Sequence, residues 1–171
     1  MRASLAPVCA LACLLAGCGY RIAGHADLVP KGIQTIAIPH FANLTTHYQL
    51  TDRLPEAISR EFIARTRYQI VTDQNQADAI LRGSVIRFFS YPIILEQSGR
   101  ATAVQFIVTM QVSLIDRRTG KTIWERPTFD MRQQYEISVT PRAYFDESGA
   151  AIDRLCRDTA QSVVTAILTN F

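Results

Sequence analysis

The clearest pattern along the chain runs from residue 101 to 115. There Val104, Phe106, Val108, Met110, Val112 and Leu114 alternate with Gln105, Thr109, Gln111 and Ser113. Alternation over this length predicts a strand that buries one face, with Ile107 the single apolar residue on the polar side. Residues 79–91 read as a neighbouring strand, with Leu81, Val85, Phe89 and Tyr91 on one parity and Ile80, Ile86 and Phe88 on the other. Residues 122–136, with Trp124, Phe129, Met131 and Tyr135, give a third, in which Pro127 marks a bulge. Asp116-Arg-Arg-Thr-Gly-Lys121 joins the last two as a hairpin turn. Shorter extended runs lie at 34–40, where Pro39 ends the strand or confines it to an edge, and at 68–71; 73–78 is a polar turn and 41–48 a polar loop.

The period changes twice to that of a helix. Leu50, Leu54, Ala57, Ile58 and Phe62 form one apolar stripe, with Glu56–Arg60 and Glu61–Arg65 as i,i+4 pairs on the other side. Pro55 belongs near a first turn, which predicts an ordered start close to Thr51. A second helix spans 146–169, with Ile152, Leu155, Cys156, Thr159, Val163, Ala166 and Ile167 on one side and Asp153–Arg157 and Arg154–Asp158 pairing on the other. The expected fold is α+β: a two-layer sandwich of two amphipathic helices on a four- to five-stranded, mostly antiparallel (mixed) sheet.

Residues 1–17 change the picture of where this domain works. Met1-Arg2 and an apolar stretch from Ala3 to Ala16 have the form of a signal peptide, too short to span a bilayer. Leu15-Ala16-Gly17-Cys18 resembles a bacterial lipobox, which makes 1–17 a lipoprotein signal peptide and Cys18 the lipidated residue. Residues 18–32 then form the lipidated N-terminus and tether, and 33–171 a single domain. Several acyl chains on Cys18 make a stable membrane anchor, since one alone binds marginally. Four cysteines would suggest two disulfides. Cys9 and Cys13 leave with the signal peptide, however, and Cys156 remains alone on a helix stripe as a buried structural thiol.

Composition and motifs then narrow the chemistry. The chain of 171 residues is 48% hydrophobic, 19% charged and carries +3, enough for one core and too little charge to indicate a nucleic-acid partner. Dinucleotide, phosphate-loop, serine-hydrolase and zinc-protease motifs are all missing. His25, His40 and His47 lie in or beside N-terminal loops without a cysteine or acidic cluster, so no metal site is expected. These readings point to a protein that is not an enzyme. No cofactor is expected beyond covalent acyl and diacylglyceryl lipid on Cys18.

Several segments together resemble the lipopolysaccharide-assembly lipoprotein family, LptE. They are Cys18-Gly-Tyr-Arg-Ile22, Pro30-Lys-Gly-Ile-Gln-Thr-Ile-Ala-Ile-Pro39, Phe41-Ala-Asn-Leu-Thr45 and the 50–62 helix. Ala77-Asp-Ala-Ile-Leu-Arg-Gly83 and Leu114-Ile-Asp-Arg-Arg-Thr-Gly-Lys-Thr-Ile-Trp124 complete the set. The resemblance runs along nearly the whole mature chain, and the order and spacing of the segments carry it. It implies an outer-membrane lipoprotein facing the periplasm that plugs the LptD β-barrel translocon, assists its assembly and helps deliver lipopolysaccharide. Gly19, rather than aspartate, after the lipidated cysteine is compatible with outer-membrane sorting.

Two surfaces follow as candidates. A plug needs a polar, orderable face toward a polar barrel lining, and Gln105, Thr109, Gln111 and Ser113 offer one without charge. Lipid A phosphates want arginine. If the three long strands form a meander, the 92–100 and 137–145 loops share one end, bringing Arg100 and Arg142 beside Tyr91 and Tyr144. Arg117, Arg118 and Lys121 form a competing basic patch at the opposite end. The rival reading is another periplasmic envelope lipoprotein with a related α/β module, a curli-secretion-like assembly protein or a penicillin-binding-protein activator.

Overall fold

The computed structural model describes residues 32–95, 97, 99, 101–137 and 141–169, with side chains in the last segment described from residue 148. In chain order the elements are β1 (Thr35–Ala37), β2 (Ala42–Asn43), α1 (Gln49–Arg65), β3 (Gln69–Val71), a 3-10 turn (Gln74–Gln76), β4 (Ala79–Leu95), β5 (Ala101–Asp116), β6 (Thr122–Glu136) and α2 (Pro141–Thr169). The sheet runs β3-β1-β4-β5-β6, with β2 pairing β4 beside β1. Pairings made by β1 and β2 are parallel, and β4-β5-β6 is an antiparallel meander. The expected α+β sandwich is therefore present, with the two-residue β2 as a sixth strand. The 41–48 segment is only partly a loop: it contains β2, and Phe41 belongs to the core.

Both helical stripes lie where their periodicity puts them. Leu50, Leu54, Ala57, Ile58 and Phe62 of α1 join Leu155, Cys156, Val163 and Ile167 of α2 in one buried cluster with the inner side of the sheet. In β5, Val104, Phe106, Val108, Met110, Val112 and Leu114 all face it. The Glu56–Arg60 and Glu61–Arg65 pairs form at 3.2 and 3.3 Å. Asp153 instead reaches across to Arg53 of α1 at 2.8 Å rather than along its own helix to Arg157. A cross-helix partner ties the two helices together, which an i,i+4 pair does not. The second helix also begins five residues earlier than its stripe suggested, at Pro141, whose fixed φ and missing donor suit a first helical position.

The strand at 79–91 departs from its expected parity. A register shift between Val85 and Arg87 inserts one extra residue opposite β5. Past it, Phe88 rather than Phe89 turns inward, and Phe89 and Tyr91 are 54% and 40% exposed. Phe88 continues the core as a row of aromatic contacts, His47–Phe88 at 3.7 Å, Phe88–Phe106 at 5.1 Å and Phe106–Tyr135 at 4.9 Å between ring centroids. The bulge expected at Pro127 is present: Phe129 pairs with Met110 and Arg126 with Val112, leaving Pro127 and Thr128 without ladder partners.

Pro55 lies in the second turn of α1, not the first, and the helix starts at Gln49. Proline has no N–H for the carbonyl four residues back, which here is that of Thr51. That carbonyl accepts the N–H of Phe41 at 3.2 Å instead. The bond holds Phe41 against the start of α1 and lays its ring over Gly83. A Cβ on Gly83 would stand 2.3–2.5 Å from three atoms of that ring. Gly83→Ala should therefore destabilise the domain by about 1–3 kcal/mol through overpacking, measured by urea denaturation. In a Phe41→Ala background, itself costing about 3–5 kcal/mol, the same change should be nearly neutral.

Candidate functional surface

Among the described residues, helices cover only one face of the sheet. On the other face Gln105, Ile107, Thr109 and Ser113 of β5 are half-buried and Gln111 is exposed, so the central strand presents an uncharged row, as its sequence indicated. The flanking strands are charged. Arg82 and Arg87 stand on β4, and Glu125, Asp130, Arg132 and Glu136 on β6. Cross-strand partners order this face: the Thr109 hydroxyl donates to Asp130 Oδ1 at 2.7 Å, and the Tyr91 hydroxyl to Gln105 Oε1. Arg87 lies over the Phe89 ring, 5.7 Å from its centroid. Alternation in the sequence revealed the β5 row. It could not reveal the outward Phe89 and Tyr91, because the bulge that turns them leaves no periodic signal.

Of the residues expected to meet lipopolysaccharide, Tyr91 is described in full, near the end of the sheet where β4 leads into β5. The β4 strand reaches Leu95, so the expected 92–100 loop is shorter, and Ile93, Ile94 and Leu95 add exposed apolar surface there. Tyr91 is on the open face, bonded to Gln105. Arg142 and Tyr144 fall in the first turn of α2, not in a loop, and that turn follows the end of β6 that pairs with the start of β5. Their side chains, Arg100 as a whole, and Cys18 lie outside the described residues.

Elsewhere, the reactive groups have structural partners. Among the described residues no group of three or more histidine, cysteine or acidic side chains could hold a metal, and no helix is long and apolar enough to cross a membrane. His40 Nδ1 lies 2.7 Å from Asp52. His47 stacks on Phe88, and burial lowers its imidazole below the ordinary value. Burial pushes the Cys156 thiol up to about 11, the reverse of what a nucleophile needs. A groove of about 670 Å³ runs between the helices on their outer side, lined by Arg53, Arg60 and Arg157 together with Glu56, Glu61 and Asp153. The Arg53–Asp153 and Arg60–Glu56 ion pairs occupy much of its charge.

The sequence segments that look most like motifs are locks of the fold. Asn43 Oδ1 accepts from Thr45 N–H and Oγ1–H, both at 2.8 Å, while its Nδ2 donates to the His47 carbonyl. Asp116 Oδ1 accepts the N–H groups of Arg118 and Thr119, and Gly120 takes φ +68° to close the turn. Asp78 clamps the start of β1: its Oδ2 accepts from Gln34 N–H, Thr35 N–H and Thr35 Oγ1–H at 2.9–3.1 Å.

Among the solved structures with the same fold are three bacterial lipoproteins. Rare lipoprotein B from Shewanella oneidensis matches with a TM-score of 0.57 at 12% identity, over 80% of this chain and 95% of that one. A minor lipoprotein from Acinetobacter baumannii matches at 0.55 and 20%, over 81% and 92%. Lipoprotein B from Nitrosomonas europaea matches at 0.56 and 13%, over 85% and 87%. No curated protein sequence matches the chain. The fold that these structures share with the chain is a two-layer α+β sandwich. The family model LptE, lipopolysaccharide-assembly, matches residues 33–167, and the chain belongs to that family. Its general role is accordingly in lipopolysaccharide assembly, in a family of non-catalytic envelope lipoproteins.

The Asp78 clamp makes a pH prediction. The backbone N–H of Gln34, then the Thr35 hydroxyl and N–H, hold its carboxyl below the ordinary aspartate value. A lowered folded pKa contributes stability that is present above the unfolded value and lost as pH falls through the folded one. Urea midpoints measured from pH 6 downward should fall for the wild type across the aspartate range. Asp78→Asn should start less stable and show a flatter fall.

Proposed function

We propose that the mature protein is an outer-membrane lipoprotein, anchored through acyl and diacylglyceryl groups on Cys18, that stands on the periplasmic side and seats as a plug in an LptD-like β-barrel. In this reading residues 1–17 are a signal peptide, the protein helps the barrel assemble and helps pass lipopolysaccharide to the outer leaflet, and it catalyses no reaction. The observation that carries the barrel contact is the uncharged Gln105, Thr109, Gln111, Ser113 row on an open sheet face. A barrel lining is polar, and neutral amides and hydroxyls can exchange hydrogen bonds with it without burying charge. Lipopolysaccharide is assigned to the end where β4 turns into β5, with Arg100, Arg142, Tyr91 and Tyr144 as its contacts. Arginine forks suit phosphate, and the exposed Ile93, Ile94 and Leu95 suit acyl chains.

Co-purification from detergent-solubilised outer membrane tests the plug. The expected partner is one large barrel in equal amount; a ring-shaped oligomer or a peptidoglycan synthase would point to the rival lipoproteins. Gln111→Glu with Thr109→Lys should leave the circular-dichroism spectrum and thermal midpoint of the isolated domain nearly unchanged yet sharply reduce barrel recovery. Cys18→Ala should remove the protein from the membrane fraction. The Arg100→Ala, Arg142→Ala double variant should weaken lipopolysaccharide binding in a direct assay, and unchanged affinity would end that assignment.

A further inference from the structure

The outer edge of β4 is paired only along its first half: with β1 at Ala79 and Ile80, and with β2 at Ser84 and Val85. Beyond Val85 no strand among the described residues lies against it. The direction of its backbone groups there can be derived. The Val85 carbonyl accepts from Leu44 N–H, so the polar groups of Val85 point away from β5. Val85 stands opposite Met110, and after the bulge Phe88, Ser90 and Pro92 stand opposite Val108, Phe106 and Val104. Those β5 residues share the parity of Met110 along an unbroken run, so Phe88, Ser90 and Pro92 also turn their backbone groups to the free edge. Pro92 is tolerated because its absent N–H was never needed by β5.

We infer that this edge pairs with the same edge of a second copy, antiparallel and centred on Phe89. In that register Phe88 of each copy stands opposite Ser90 of the other. Both carry outward N–H and C=O groups, so each pair exchanges two hydrogen bonds and the two-fold axis makes four. Phe89 meets Phe89 of the second copy in the close, non-hydrogen-bonded position, where cross-strand aromatic pairs interact best. Arg87 stands opposite Tyr91 of the second copy, a cation against an aromatic ring rather than against another arginine. Pro92, lacking a donor, stops the ladder at both ends and keeps the pairing from growing into an open array. His47 stacks on the Phe88 ring, whose side chain turns toward the core and not along the sheet edge. A ladder this short makes a weak, reversible dimer, below the area typical of permanent interfaces.

Disulfide trapping of the mature protein in a Cys18→Ser, Cys156→Ala background, which carries neither lipid nor another thiol, tests the register without any barrel. Directly opposed residues in an antiparallel pair have Cα atoms about 4.5–5.5 Å apart, within disulfide reach. Phe89→Cys should give a covalent dimer under mild oxidation, several-fold faster than Tyr91→Cys. The two copies of residue 91 would lie four residues out of register, about 13 Å apart. A mixture of Arg87→Cys and Tyr91→Cys proteins should link as a heterodimer, and adding Ser90→Pro should suppress the Phe89→Cys link while circular dichroism stays unchanged. Equal rates for Phe89→Cys and Tyr91→Cys would mean random collision and overturn the inference. So would a Phe89→Cys protein that stays monomeric, which would leave the edge to the chain's own N-terminal segment or to a strand of the barrel.

Discussion

The packing of this domain depends on one backbone carbonyl, that of Thr51. Pro55 cannot supply its helical partner, and Phe41 N–H takes the place. Through that bond the segment before α1 is drawn onto the helix, and the Phe41 ring is set on the flat space that Gly83 leaves in β4. Three separate departures from the ordinary, a proline inside a helix, a glycine inside a strand and a large aromatic in a loop, thus solve one problem together. Each alone would weaken its element. Combined, they fix the angle between the N-terminal strands, the first helix and the long meander, and so determine which half of β4 receives partners along its edge.

Coverage follows from that arrangement. Two helices can cover one face of a sheet whose meander has a middle strand sixteen residues long, and here they cover it with a continuous buried cluster. Among the described residues no helix or strand covers the other face or pairs with the far end of β4. Its central row is neutral, its β4 flank carries arginine and aromatic side chains, and its β6 flank carries most of the acids. That β6 edge is long, but Pro127, a bulge and alternating charges blunt it in the usual way. The distal β4 edge has less protection, with Pro92 blocking a single hydrogen-bonding slot.

Periodicity made most of this fold readable. The β5 alternation and the 50–62 stripe are each set by burial of a single face, and burial of a single face is what a two-letter pattern records. Positions governed by another rule were not readable. The bulge after Val85 reverses the faces of Phe89 and Tyr91, although the residues themselves continue an apparently regular run. Ile36 and Ala37 are both buried because β1 lies between two parallel neighbours, so alternation there carries little meaning. Asp153 looked like a partner for Arg157 on its own helix, but the nearer guanidinium belongs to α1, a juxtaposition that only packing creates.

The segments through which the family is recognisable turn out to be those that hold the chain in shape. Phe41 and Gly83 are in contact, Asn43 orders the loop before α1, Asp78 clamps β1, and Asp116 closes the last hairpin. A residue whose role is to satisfy buried or turning backbone has few substitutes, since only certain side chains fit its geometry. A face that contacts a partner is instead defined by the row it forms across strands, and many neutral polar residues can make such a row. Recognition by these motifs therefore reports the scaffold. The surfaces proposed for partners, the neutral β5 row and the far end of β4, lie between the motifs and are visible only once the strands are laid side by side.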